Sequence, residues 1–133
     1  MANGSSKRLL IVMPAYNEAA VISQTILNLQ RLRLSEGWDF EILVVNDGSN
    51  DSTSELVRIQ GIRVVTHPFN CGVGIALRTG FSWARRHDFD AVIQVDADGQ
   101  HPIEEIQNLV SYFDTECADI VIGSRFVDGD WDT

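Results

Sequence analysis

The sequence lacks any apolar run approaching the roughly 20 residues that a membrane-spanning helix needs. Its N-terminal segment also lacks the apolar core of a signal peptide and reads as a polar lead-in. We therefore expect a soluble, cytoplasmic protein. The 133 residues are enough for one domain with a substantial core, and a composition of 44% hydrophobic and 22% charged residues is typical of globular proteins.

Positive charge and cysteine are both scarce. Ten Lys and Arg residues stand against nineteen Asp and Glu residues, and the resulting net charge of −9 argues against a nucleic-acid binder, which needs a basic surface. A small anionic ligand is not excluded, because a bound divalent cation reverses the local charge. Cys71 and Cys117 match no metal-ligand spacing and are predicted to be free thiols. His67 and His87 offer no argument for a site.

Short apolar blocks alternate with helical patterns along the chain. The blocks predict strands at residues 9–13, 40–45, 62–66, 91–95 and 119–123. The patterns between them predict helices at about residues 18–34, 52–60, 73–86 and 102–114. Continuous apolar strands alternating with helices predict an α/β fold, with a mostly parallel sheet and helices on both faces. Residues 9–126 then form one domain, between a flexible lead-in at 1–8 and an acidic tail at 127–133.

Details of these helices are also predicted. Asn17 is a plausible N-cap of the first helix, and Asp51 or Ser52 caps the second, which Gly61 ends. The third helix is expected to turn three residues toward the sheet, namely Leu77, Phe81 and Ala84. The inner face of the fourth is expected to carry Ile106, Leu109, Val110 and Phe113.

Parallel sheets of this type bind ligands outside the carboxyl ends of their strands. The unusual polar and glycine-rich loops of this chain all follow predicted strands, at residues 14–18, 46–49, 70–74, 96–100 and 123–125. Their shared position indicates one site at that edge of the sheet.

The loop after the fourth strand carries the clearest chemistry. Asp96 and Asp98 lie two residues apart in an extended segment, so both carboxylates point the same way. Hard oxygen donors so placed form half of a site for Mg²⁺ or Mn²⁺, and Gln100 can add a third oxygen. A diphosphate would then bridge to the metal. The alternative is a surface Asp-Gly turn.

The other loops offer weaker signals. Tyr16 can stack on a base or sugar, with Asn17 and Glu18 as polar edges, although a simple capping turn explains these residues slightly better. Asp47 can accept hydrogen bonds from a nucleobase N–H or a ribose hydroxyl, whereas the residues after it fit a turn and a helix start.

The segment Gly72-Val73-Gly74 approaches a dinucleotide-binding fingerprint. However, Leu77 stands where the third glycine belongs, so that interpretation is weak. Arg78 can point a guanidinium at phosphate or be a solvated helix residue. Arg125 suits a phosphate, and a structural ion pair explains it almost as well.

Taken together, these motifs resemble the family 2 glycosyltransferases of the GT-A fold. The chain is most similar to the branch that transfers a sugar from a nucleotide donor to a polyprenyl or dolichyl phosphate. The matching segments occur in family order at residues 12–18, 44–49, 70–80, 95–102 and 123–126.

The resemblance implies roles for particular residues. The nucleotide would be bound by Pro14, Ala15, Tyr16, Asn17, Glu18, Asp47, Gly74, Arg78, Asp96 and Ala97. Mg²⁺ or Mn²⁺ would be held by Asp96, Asp98 and Gln100, with Arg125 on phosphate. The implied reaction is inverting transfer from a UDP or GDP sugar by in-line attack on the anomeric carbon. A lipid phosphate is already anionic, which fits a chain in which no catalytic base is identified.

The family's domain normally continues past the Gly-Ser-Arg segment into the acceptor region and membrane-associated helices. Since this chain ends at Thr133, we expect a truncated form that retains the donor-binding half. A longer parent would be membrane-associated, and a cut sheet would expose an edge that favours homo-oligomers.

Other functions stay open at this point. One is a donor-binding fragment without turnover. Another is a phosphatase with Asp96 as nucleophile and Asp98 as acid, although that motif normally ends the first strand of its fold. A nucleotidyltransferase is a third, but the opening loop lacks the glycine-rich, basic signature that grips a triphosphate.

Overall fold

A computed structural model describes residues 6–99 and 103–116, with backbone alone for residues 112–116. Within these residues four strands and four helices alternate, which confirms the α/β class. The strands are β1 (Lys7–Ala15), β2 (Trp38–Asn46), β3 (Arg63–Thr66) and β4 (Ala91–Gln94). The helices are α1 (Ile22–Leu29), α2 (Thr53–Ile59), α3 (Val73–Arg86) and α4 (Ile103–Glu116). The strand predicted at 119–123 and the tail at 127–133 lie outside the described residues.

The four strands form one parallel sheet in the order β3-β2-β1-β4. β1 lies inside it and pairs with β2 along its whole length, from Lys7–Trp38 to Ala15–Asn46. Its pairing with β4 ends sooner, at Val12–Gln94, with a last hydrogen bond from the Val95 amide to the Val12 carbonyl. Beyond that point β1 runs on to Ala15 without strand pairing to β4, which is the separation of the two strands at the carboxyl edge of the sheet.

Pro14 lies where this separation begins. Alternate residues of a strand bond to the same neighbour, so the ring nitrogen of Pro14 faces the β4 side, as Val12 does. Because the β4 ladder has already ended there, the missing N–H of proline costs no sheet hydrogen bond.

Helices cover both faces of the sheet, as predicted. The alternation of β1 sends Leu9, Ile11 and Met13 to one face, where they pack with buried residues of α1, α2 and α4. Leu10 and Val12 point to the other face and pack against α3. Two apolar layers thus hold the carboxyl ends of the strands in fixed positions. None of the described helices is long and apolar enough to span a bilayer.

The contact between α3 and the sheet differs from the prediction. Phe81 was expected to face inward but is 48% exposed, and the fully covered residues of α3 are Ala76, Gly80 and Ala84. The reason is close packing: a β-carbon on Gly80 would lie 2.8 Å from a Val12 methyl. Small residues at four-residue spacing therefore make the contact, and the large side chain turns outward.

Two other boundaries also differ. The first helix runs only from Ile22 to Leu29, not from 18 to 34, because the chain enters and leaves it through separate turns. Asn17 is not its N-cap: it has a φ of 54°, and the N-cap position is Val21, without a side-chain cap.

The sheet also begins earlier than predicted, at Lys7, within the predicted lead-in. On α4, Ile106 and Val110 are buried as expected.

Candidate functional site

The opening between β1 and β4 forms a cleft of about 350 Å³ at the carboxyl edge of the sheet. In the sheet, β2 and β3 lie on one side of β1 and β4 lies on the other, so the chain reverses its direction across the sheet between β3 and β4. This is a topological switch point, where α/β sheets bind ligands. The cleft is lined by Pro14, Ala15, Tyr16, Glu18, Asp47, Asn70, Gly72, Val73, Ala76, Asp96, Ala97 and Asp98.

Both aspartates of the Asp-x-Asp segment line the cleft, but Ala97 and Asp98 lie in a turn and not in the extended segment that was predicted. Asp96 is half-buried, Ala97 is buried and Asp98 is exposed. The buried hydroxyl of Thr25, on α1, donates to the Ala97 carbonyl at 2.9 Å and anchors the segment. Gln94 donates from its side chain to Asp96 Oδ1 at 3.2 Å. The loop is therefore fixed from the core side.

Glu18 faces the same negative charge from the end of β1. Burial raises the pKa of this carboxyl, and the charges of Asp98, Asp51 and Asp96 raise it further. Its backbone amide donates to the Thr53 hydroxyl at 3.0 Å, which ties this loop to the start of α2. Acidic side chains from separate loops therefore meet in the cleft, which is where a cation would be held.

Asp47, at the end of β2, is buried and holds the neighbouring loop. Its Oδ1 accepts from the Cys71 amide at 2.9 Å, and its Oδ2 from the Gly72 amide at 2.8 Å. The ring Nδ1 of His67 lies 2.8 Å from Oδ1. Burial favours a raised pKa for Asp47, but the hydrogen bonds from His67, Cys71 and Gly72 outweigh it and hold this pKa below its usual value. The carboxylate is ionised and leaves about one acceptor position toward the cleft.

His67 was not predicted to belong to the site. It follows β3 directly and joins Asp47 to α3, because its Nε2 lies 2.9 Å from the Thr79 hydroxyl. The sequence feature that could have identified His67 was its position directly after β3, shortly before the glycine-rich loop at residues 70–74.

The loops after β1 and β2 lock together through polar contacts. The Asn17 amide donates to the Ser49 hydroxyl at 2.9 Å, and the Asn50 amide donates to the Asn17 side-chain oxygen at 2.8 Å. Asn17 therefore orders the rim of the cleft from outside and is not one of its lining residues.

Most of the residues predicted to bind nucleotide line this cleft together. Three depart from that pattern: Asn17, Gly74 and Arg78 are not among the lining residues, so their contact with a ligand stays a prediction. Gln100 and Arg125 lie outside the described residues. Four lining residues lie in segments that the sequence pointed to but were not assigned to the nucleotide individually, namely Asn70, Gly72, Val73 and Ala76. They belong to the glycine-rich segment after β3, in which Gly72 and not Gly74 lines the cleft.

Comparison with known proteins agrees with this geometry. Residues 10–132 match the family described as glycosyl transferase family 2. The chain belongs to that family. It is 32% identical to the polyprenol monophosphomannose synthase of Mycolicibacterium smegmatis over 130 residues, covering 93% of this chain and 47% of that protein. It is 35% identical to the undecaprenyl-phosphate mannosyltransferase of Micrococcus luteus over 127 residues, covering 92% and 50%.

The fold likewise matches solved glycosyltransferases of the GT-A class. The mannosyltransferase PcManGT from Pyrobaculum calidifontis, solved with GDP-Man and Mn²⁺, superposes with a TM-score of 0.68 at 25% identity. The match covers 82% of this chain and 33% of that one. This family 2 chain spans about half the length of the curated relatives it matches.

Proposed function

We propose that this family 2 chain binds a nucleoside-diphosphate sugar, of UDP or GDP, in the cleft between β1 and β4 with a divalent cation. We propose further that the whole protein transfers the sugar, with inversion, to a polyprenyl or dolichyl phosphate. The single observation that carries the proposal is the meeting of Asp47, Glu18, Asp96 and Asp98, from three strand ends, in one cleft of about 350 Å³. That volume is within the range of small-ligand sites.

The donor set fits a divalent cation. Asp96 and Asp98 both line the cleft and offer carboxylate oxygens, and oxygen ligands are those that Mg²⁺ and Mn²⁺ prefer. Burial first, and then the negative charges of Asp98, Asp51 and Asp96, raise the pKa of Glu18, which is a charge arrangement that a cation would relieve. A resident cation supplies charge neutralisation for the departing diphosphate. Gln100 is the proposed third protein ligand.

The chain's own residues then have separate tasks. Tyr16, which lines the cleft and is 43% exposed, stacks on the base or ribose in this proposal, and the remaining acceptor position of Asp47 receives an N–H or hydroxyl of the nucleoside. Ala15 and Pro14 provide an apolar wall, and Arg125 is the proposed phosphate contact. An acceptor phosphate oxygen forms a bond to the anomeric carbon as the bond to the diphosphate breaks. The acceptor oxygen is already anionic, so no residue has to remove a proton from it.

The acceptor class is supported by the relatives. Two of them are named for transfer to polyprenol or undecaprenyl phosphate, and the apolar tails of such acceptors would bring the whole protein to a membrane. Self-association through an exposed sheet edge remains part of the proposal. The phosphatase alternative loses support, since Asp96 and Asp98 follow β4 and not β1, and the chain belongs to a transferase family.

Isothermal titration calorimetry tests donor binding directly. UDP and GDP are titrated into the folded chain with Mn²⁺ or with EDTA, followed by a panel of their sugars. We expect one nucleotide to bind with Mn²⁺ and to bind much less in EDTA. Absence of binding by either nucleotide, in a sample shown to be folded by circular dichroism, would reject the proposal.

Turnover is a separate question from binding. Incubation with the preferred nucleotide sugar and a short phosphoprenol distinguishes a transferase from a donor-binding fragment. Formation of the glycosyl phosphoprenol supports transfer by this chain, whereas binding without product assigns it donor binding alone.

A further inference from the structure

Three side chains with different metal-binding chemistry converge at the cleft, on the loops after β2 and β3 and not on the Asp-x-Asp segment after β4. A carboxylate oxygen of Asp47, a ring nitrogen of His67 and Sγ of Cys71 all lie within 4.8 Å of one another. Asp47 and His67 are nearly covered, with 5% and 11% of their side chains exposed, and Cys71 is a partly exposed free thiol. A carboxylate, an imidazole and a thiol at one point are a ligand set that suits Zn²⁺.

The spacing is close to that of a zinc site. Zinc bonds of about 2.0 to 2.3 Å place tetrahedral ligand atoms roughly 3.3 to 3.8 Å apart. Oδ1 of Asp47 and Nδ1 of His67 are 2.8 Å apart, so they would separate slightly. The Cys71 thiol would turn from its 3.3 Å contact with the Phe69 carbonyl toward them. The bond from the Gly72 amide to Oδ2 can persist and anchor the carboxylate.

An independent observation concerns the far nitrogen of His67. A metal on Nδ1 requires the proton to be on Nε2, and metal-bound histidines donate that proton to an acceptor that orients the ring. Here the Thr79 hydroxyl lies 2.9 Å from Nε2. Thr79 donates its own proton to the Ile75 carbonyl at 3.1 Å, which leaves its oxygen able to accept. The partner that a zinc-bound His67 needs is therefore already in place.

We propose that Asp47, His67 and Cys71 form a Zn²⁺ site separate from the Mg²⁺ or Mn²⁺ position at Asp96 and Asp98. Zinc displaces the Nδ1 proton of His67 and the thiol proton of Cys71, and water fills the fourth position. The thiolate makes the site selective, because Mg²⁺ and Mn²⁺ prefer oxygen ligands.

Occupation of this site has a consequence that rests on the proposed function. Asp47 lines the cleft and is the proposed acceptor for the nucleotide. Zinc on Oδ1 draws negative charge from the carboxylate, so the one acceptor position left on Oδ2, beside the Gly72 bond, becomes a weaker acceptor for the nucleoside. Zinc therefore inhibits nucleotide binding, whereas Mg²⁺ or Mn²⁺ promotes it.

Cobalt spectroscopy tests the site without any nucleotide. Co²⁺ is added to the reduced chain, and the thiolate-to-cobalt charge-transfer band is recorded before Zn²⁺ displaces the cobalt. Cys71→Ser is expected to abolish the band and weaken Zn²⁺ binding about tenfold or more, as is His67→Gln. Cys117→Ser is the matched control and should retain both. Equal zinc affinity in Cys71→Ser, or loss of the band in Cys117→Ser, would overturn the proposal.

A measurement on the unaltered chain removes any question of misfolded variants. Alkylation of Cys71 by iodoacetamide is followed by peptide mass spectrometry, and Zn²⁺ should slow it while excess Mg²⁺ should not. Equal rates with and without Zn²⁺ would overturn the site. Competition between Zn²⁺ and the bound nucleotide is then measured separately. Zinc binding at Cys71 without competition would support the site and overturn only the inhibition.

Discussion

A β-carbon placed on Gly48 would lie 2.8 Å from the Cα of Phe69, so the loops after β2 and β3 meet backbone to backbone. Gly48 also has a φ of 76°, a conformation that other residues rarely adopt. The contact fixes the start of the loop whose Cys71 and Gly72 amides bind Asp47. One wall of the cleft therefore depends on the absence of a side chain.

Replacement of this glycine should destabilise the fold strongly. We expect Gly48→Ala to lower the free energy of unfolding by about 2 to 5 kcal/mol, because backbone strain and backbone overlap add together. Urea denaturation followed by circular dichroism measures the loss.

The chain offers a matched control for that experiment. Gly61 has nearly the same φ, 77°, but a β-carbon there would meet no atom within 4 Å. Gly61→Ala should therefore cost only the strain, about 1 to 2 kcal/mol. Equal losses in the two variants would show that the contact with Phe69 contributes nothing.

A second glycine pair tests the packing of α3 on β1. A β-carbon on Gly80 would lie 2.8 Å from a Val12 methyl, whereas one on Gly74 in the same helix would meet nothing within 4 Å. We expect Gly80→Ala to destabilise by about 1 to 3 kcal/mol through overpacking. Gly74→Ala should be neutral or stabilise by up to about 1 kcal/mol, since alanine is the better helix former.

Thermal or urea unfolding measures both variants, and a double-mutant cycle identifies the clash. Combination with Val12→Ala should make the Gly80→Ala change less costly than it is alone, because the methyl groups in its way are gone. An unchanged cost would refute the packing explanation.

The order of elements was predictable because local patterns determine it. Continuous apolar blocks indicate buried parallel strands, and polar loops at their carboxyl ends indicate a shared edge, which the cleft confirms. Asp96 and Asp98 also share the cleft, as their spacing suggested, although Ala97 and Asp98 form a turn where an extended segment was predicted.

Contacts between distant loops were not predictable in the same way. The only local signal of His67 was its position at a strand end, because its role depends on β3 lying beside β2 and on Thr79 of α3 facing its ring. Asn17 was predicted to cap a helix, but its side-chain oxygen accepts a hydrogen bond from the Asn50 amide in another loop. Phe81 faced outward because Gly80 brings the helix too close to the sheet for a large side chain. In each case tertiary contact overrides a local preference.

The raised pKa of Glu18 predicts a pH-dependent cost to stability. Burial first, and then the charges of Asp98, Asp51 and Asp96, favour the protonated form of this carboxyl in the folded chain. Between the ordinary pKa of a glutamate and the raised one, the folded chain still holds a proton that the unfolded chain has released. The free energy of unfolding therefore falls as pH rises through this range. At pH 7 Glu18→Gln should be more stable than the parent chain.

Urea unfolding at several pH values measures this effect in the absence of divalent cations. The advantage of Glu18→Gln should shrink as pH falls toward the ordinary pKa of a glutamate and should also shrink in high salt. A constant advantage across the range would contradict the electrostatic cause.

The proposed role of Asp98 as a metal ligand predicts a loss that depends on the metal. Asp98→Asn keeps the size of the side chain but removes the charge, so nucleotide binding should weaken about tenfold or more in Mn²⁺ and be unchanged in EDTA.

Asp88→Asn is the matched control: it makes the same chemical change at an exposed residue after α3, at a φ of 60° that asparagine tolerates. Calorimetry with the preferred nucleotide measures all three chains. An equal loss in EDTA would mean that Asp98 acts on the nucleotide itself, and a similar loss in Asp88→Asn would mean that net charge alone is responsible.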